Sequence, residues 1–168
     1  MATGTVDRNF VVQQGIESPP GGCGRLSSAL LFQPRVVGPL ALIGVVTQSA
    51  WLFGALAVVS WWNALVPSLN PFDHLWNATF GSRPGASRIA PAPAPRRFAQ
   101  AMAASFMTAI AACLVGGPPL AAWIRQGFLL VAVSAVALGK FCLGSFVVHL
   151  LRGRAGFAIA TLPWGRGA

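Results

Sequence analysis

Residues 69–100, LNPFDHLWNATFGSRPGASRIAPAPAPRRFAQ, form a long polar, proline-rich stretch between two very apolar regions. The stretch carries four of the eleven arginines and one of the three acidic residues. It opens with a helix-start signature: Asn70 can cap, Pro71 suits the first helical position, and Asp73 complements the positive end of the helix dipole. Phe72, Leu75, Trp76 and Phe80 then fall on one helical face, with Asp73, His74 and Asn77 elsewhere, and Gly81 is expected to end the helix as its C′ residue. The expectation is a short amphipathic helix lying on a membrane surface. The alternating Pro and Ala of residues 82–95 favour extended polyproline geometry.

Working outward, residues 36–66 contain no charge at all. One helix needs about 20 residues to cross a hydrocarbon core of ~30 Å, so 31 residues are too many for one span and few for two. The polar break Thr47-Gln48-Ser49 divides the run into 36–47 and 50–66, a tight hairpin whose first helix is short. Trp61 and Trp62 then sit near the returning interface. On the other side, residues 98–151 read as a second hairpin that turns at Gly116-Gly117-Pro118-Pro119, with Arg125 delaying the last span until about Gln126. Ala101, Ser105, Ala109 and Cys113 recur every four residues, a stripe that allows another helix to come close. Residues 1–35 form a polar N-terminal arm, read as a partly ordered tail, and 152–168 a basic tail. The apolar patch at 26–32 is too short and too late for a signal peptide, so insertion relies on the first span.

Composition agrees with a membrane solvent. The chain of 168 residues is 55% hydrophobic and 9% charged, with a mean hydropathy of +0.65, whereas a soluble domain carries about 25% charged residues. The net charge of +9 sits beside apolar runs rather than on a basic helix face, which argues against nucleic acid. With four spans, Arg8, Arg25, Arg35, Arg83, Arg88, Arg96, Arg97, Arg152, Arg154 and Arg166 share one side and Arg125 stands alone on the other. That asymmetry places both termini in the cytoplasm. The expected fold is therefore all-α, four transmembrane helices as two hairpins joined by a surface helix and a proline-rich cytoplasmic loop.

Residues able to carry chemistry are few. Three scattered cysteines, two histidines and three acids imply neither a disulfide framework nor a metal site. On a continuous last helix, Cys142, Ser145, His149 and Arg152 share a face, and Lys140 lies deeper in the membrane. An ionisable group inside a span points to function, here a thiol near a base. The competing reading has Lys140 snorkelling and Cys142, Ser145 and His149 packing against other helices. Asp73 is either the partner of a loop arginine or a capping charge. His74 and His149 are the candidates for ligating a bound pigment, and Asp73, Trp76, Arg96, Arg97, Lys140 and Arg152 those for contact with lipid or a partner. No cofactor is expected, although a bound lipid or pigment fits such a protein.

NPFDHLWN, APAPRRFAQ and FCLGS, in that order, resemble an uncharacterised bacterial membrane family, the domain-of-unknown-function family "forty-three ninety-five". The resemblance covers roughly residues 36–152, with VDRN near the start. It implies four membrane helices, and family members are sometimes encoded or fused with thioredoxin-like or rhodanese-like proteins. Many members carry C-x-G-C in the last helix. This chain keeps Cys142 and Gly144 but has Ser145 in place of the second cysteine, which leaves Cys142 a mixed disulfide with a partner rather than an internal pair. Three functions follow as expectations. The first is a non-catalytic accessory or scaffold subunit of a larger membrane complex, photosynthetic or respiratory complexes being the kind in view. The second is thiol-linked redox or sulfur handling through Cys142, and the third a small transporter.

Overall fold

The computed structural model describes residues 2–18, 23–81 and 88–165, and every regular element among them is helical. The helices are α1 (Ala2–Gln13), α2 (Gly24–Leu30), α3 (Phe32–Thr47), α4 (Ala50–Leu65), α5 (Pro71–Thr79), α6 (Ala94–Gly116), α7 (Pro119–Ala137), α8 (Leu143–Leu151) and α9 (Ala155–Ala160), with a 3₁₀ turn at Pro67–Leu69. Arg83, Arg166 and part of the proline-rich stretch lie outside the described residues.

Local chemistry sets most of the boundaries. Ser49 caps α4 by accepting the Leu52 N–H, and Asn70 caps α5 by accepting the Phe72 N–H at 3.0 Å. The break at 47–49 becomes the turn between α3 and α4. There Gln48 enters the left-handed region at φ 47°, and the Ser49 N–H bonds the Gly44 carbonyl, a Schellman closure made without glycine. Gly15 and Gly153 close α1 and α8 in the same way, with φ of 82° and 71°.

Four apolar helices form a ring: α3 touches α4 and α7, α4 touches α6, and α6 touches α7. Inside it, Ala41, Phe53, Met107 and Ile110 are almost wholly buried. Gly44 makes room for Phe53, whose ring lies 3.1 Å from where a Cβ would stand. Gly24–Thr47, Ala94–Gly116 and Pro119–Ala137 are long and apolar enough to cross a membrane, and α4 is a shorter apolar helix of 16 residues.

Several expectations change. The first hairpin does not begin with a short helix at residue 36. Leu26, Leu30 and Leu31 are buried and carry the helical path back to Gly24. The N-terminal arm is not a loose tail, because α1 buries Phe10 and Val11 completely. α7 starts at Pro119 and keeps Arg125 inside it, since that side chain reaches back to the Ala121 carbonyl at 3.0 Å. The last apolar run is two helices, not one, with a break at 138–142 where Lys140 adopts φ 51°.

The stripe Ala101, Ser105, Ala109 and Cys113 is not the packing face of α6. Arg96, Gln100, Ala104, Met107 and Ile110 are buried and Ser105 is exposed, because the larger side chains fill more of the ring. In α5 Phe72 and Trp76 pack against the apolar clusters and His74 is exposed as the expected face has it, but Asp73 is also buried and Leu75 is exposed. That helix ends at Thr79, and Gly81 does not adopt a left-handed conformation.

α8 lies against α6 at Gly144, where an added Cβ would stand 2.6 Å from the Ala99 Cα. Gly144→Ala is therefore expected to destabilise the protein by about 1–3 kcal/mol through overpacking. Gly54→Ala, placed in open space on α4, should hold or raise stability, since Ala exceeds Gly in helix propensity by about 1 kcal/mol. Thermal midpoints of both variants in detergent check this, and equal midpoints would deny the close α6–α8 approach.

Candidate functional site

The polar groups of the chain converge where α1, α5, α6 and α8 meet. Arg96, two residues into α6, donates from both Nη atoms to Asp73 of α5, at 3.0 and 2.7 Å. Only 5% of Arg96 and 6% of Asp73 is exposed. A planar guanidinium matched to a carboxylate in this forked arrangement is among the stronger polar contacts. Beside it, the Arg97 Nε–H bonds the Ala64 carbonyl at 2.8 Å, which satisfies an acceptor left open at the end of α4. Asn77 completes the corner by exchanging two hydrogen bonds with the backbone of Ile89.

The second pair joins Lys140 to Asp7 of α1 at 2.5 Å. Lys140 is thus held by the arm rather than left to snorkel. Gln13, on the same arm and fully buried, accepts the Cys142 N–H through its side-chain oxygen at 2.9 Å, and its carbonyl meets His149 Nε2 at 2.9 Å. Ser145 lies within hydrogen-bonding distance of both the Pro95 carbonyl and Cys142 Sγ, 3.3 Å from each.

The predicted thiol and base are close in the fold without forming a pair. Cys142 is the N-cap of α8 and not a residue on its face. His149 spends Nε2 on Gln13 and packs at a tilt of 59° against Phe157, with ring centres 4.7 Å apart. Arg152 is exposed at the C-cap of α8. His74 is also exposed, and its Nε2 meets the Ser68 carbonyl at 2.8 Å. Trp76 packs against Phe32 and Phe80. No group of three His, Cys, Asp or Glu side chains able to hold a metal occurs among the described residues.

Asn9, Gln13, Gln33 and Gln100 escaped the sequence reading. Asn9 ties α1 to the tail through the Leu162 carbonyl at 3.0 Å, and Gln100 bonds Gln33 at 3.1 Å. The available signal was weak: neutral amides embedded in apolar surroundings, such as Gln13 after Phe10-Val11-Val12. Asp7 had a clearer one, being among only three acids facing twelve basic residues.

Residues 28–152, most of the chain, match the family described as "Domain of unknown function (DUF4395)". No curated protein and no solved structure matches it.

The buried pair gives a direct expectation. Asp73→Ala strands Arg96 without a counter-charge and should cost about 3–5 kcal/mol, whereas the double change Asp73→Leu with Arg96→Met should recover most of that. The check is thermal unfolding in detergent. A double variant no better than the single one would show that the loss does not come from the uncompensated charge.

Proposed function

The chain belongs to the DUF4395 family, and from that footing we propose that it is a small non-catalytic accessory or scaffold subunit of a larger complex in the bacterial inner membrane. It crosses the bilayer four times, as two hairpins, with both termini in the cytoplasm. The observation that carries this reading is the uncovered apolar surface of the ring. Trp51 is 90% exposed and Leu138 85%, and Val58, Leu65, Phe128 and Val131 are open too. Contiguous apolar surface on this scale marks contact with lipid or with other proteins.

Two features support the topology. Asn9 reaches Leu162 and Asp7 reaches Lys140, which places the arm and the tail at one end of the molecule. The other is the arginine asymmetry, ten residues against Arg125. α4, at 1.5 Å per residue about 24 Å long, fits a locally thinned bilayer. The charges support a structural role, since both Asp7 and Asp73 are engaged in holding helices together.

A second reading rests on Cys142, whose Sγ meets the Ser145 hydroxyl and which lines two cavities. In that case the thiolate attacks a disulfide of a partner protein, forming a mixed disulfide and releasing the partner's other sulfur as a thiol.

Extraction from native membranes in mild detergent tests the leading reading. The expected outcome is a particle well above one 17.5 kDa chain with partners at fixed stoichiometry, and visible absorption bands would mark a pigment-bearing complex. A monodisperse single chain would overturn it. Cys142→Ser is expected to leave assembly and phenotype unchanged. Loss of phenotype with intact assembly would transfer the case to thiol chemistry.

A further inference from the structure

Two neighbouring cavities share Ala99, Ala103, Val136 and Cys142 in their walls. One, of about 240 Å³ between α6, α7 and the start of α8, is lined almost entirely by apolar groups, among them Met102, Phe106, Phe128 and Leu129. An apolar cavity of ~150 Å³ already stays dry and takes an apolar guest, so water is a poor occupant here. The other, of about 130 Å³, reaches between α3, α4 and α6 and has Gln14, Gln33, Ser60, Arg96 and Gln100 in its wall.

Gln100 supplies the second observation. It is 93% buried, its Nε2 bonds Gln33, and its Oε1 has no partner among the described residues. A buried amide oxygen left unpaired costs about 1–3 kcal/mol, which a turn of the Gln100 side chain toward an occupant able to bond it recovers. Turning the amide round would expose an unpaired N–H instead. A hydroxyl donates and accepts, so it satisfies Gln100 either way. An anionic head gains little, because the one cation in the wall, Arg96, has both Nη atoms on Asp73.

We propose that the two cavities are one binding site for a neutral lipid-like molecule with a hydroxyl head and an apolar tail. The hydroxyl bonds Gln100 and the tail fills the cavity between α6, α7 and α8. The site rests on the membrane reading above and adds a ligand class to it.

A photoreactive fatty alcohol bearing a diazirine in its chain, incorporated with the full-length protein in phosphatidylcholine bilayers, tests this. Crosslinked peptides are located by mass spectrometry. Labelling is expected at Met102, Phe106 and the buried Leu129 and is suppressed by excess unlabelled alcohol. The same probe lacking the hydroxyl should label this cavity about five-fold less, the loss of one hydrogen bond, and Gln100→Leu should remove that preference. Ala103→Phe, which obstructs the junction, should reduce labelling by either probe. The competition runs on the unaltered protein, so a variant that fails to fold leaves the result decisive. Labelling confined to outward residues such as Trp51 and Val131, indifferent to competitor, would overturn the site while keeping the membrane reading. No labelling anywhere would overturn both.

Discussion

Asp73 and Arg96 are 23 positions apart and both are buried, in a chain with few charges to spare. An isolated ion in such surroundings costs several kcal/mol, and its partner repays this only with good geometry. Once α4 and α6 pack side by side, Arg96 is fixed at the base of α6, and α5 must fold back to bring it a carboxylate. Residues 67–81 and 88–93 therefore form a braced corner. Arg97 closes the open end of α4, and Asn77 holds the returning chain at Ile89. The bland role of Asp73 as a capping charge and its role as an arginine's partner turn out to be compatible, since a residue in the first turn of α5 can do both.

The arm plays the matching part at the other side of this end. α1 delivers Gln13 to the break between α7 and α8, where the backbone N–H of Cys142 would otherwise be left open. The same residue's carbonyl takes His149, so one strap orients both residues of the expected thiol–base pair and keeps them apart. Gly15 lets the strap end tightly against α6: a Cβ there would lie 3.0 Å from Pro95 Cδ. A packed, polar-stitched end joined to a bare apolar ring is what an aqueous face and a bilayer would each demand of one small protein.

How much of this was legible depended on whether the signal was local. Asn70-Pro71 and Ser49 act within four residues, so the starts of α4 and α5 could be read directly. The turns at 47–49 and 116–119 were equally plain, because polar or Gly-Pro residues interrupt long apolar runs. Long-range matters were hidden. Hydropathy sees 120–151 as one run, and Asp7, which pairs with Lys140 at the break, lies 133 residues away. Periodicity gave α5 an apolar face of Phe72, Leu75, Trp76 and Phe80, but it could not say that a buried arginine would draw Asp73 inside as well. The small-residue stripe of α6 was a true pattern attached to the wrong neighbour, since Met107 and Ile110 fill the ring more completely.

The same reasoning explains why amides rather than charges join helices across the ring. Gln48 pairs with Gln126 near the α3–α4 turn, and Gln33 with Gln100 near the opposite end. A neutral amide binds a neighbouring helix without the desolvation penalty of an ion, at about one tenth of the idealised ~20 kcal/mol for burying a charge at low dielectric. Each amide also has more bonding capacity than one partner can use. Where two amides meet with little room, as at Gln48 and Gln126, the pair closes on itself with reciprocal contacts at 3.2 and 3.4 Å. Where they meet beside a cavity, as at Gln100, one atom is left over. The leftover atom at Gln100 follows from using amides as interhelical contacts next to imperfect packing, and it is what gives that cavity a chemical preference.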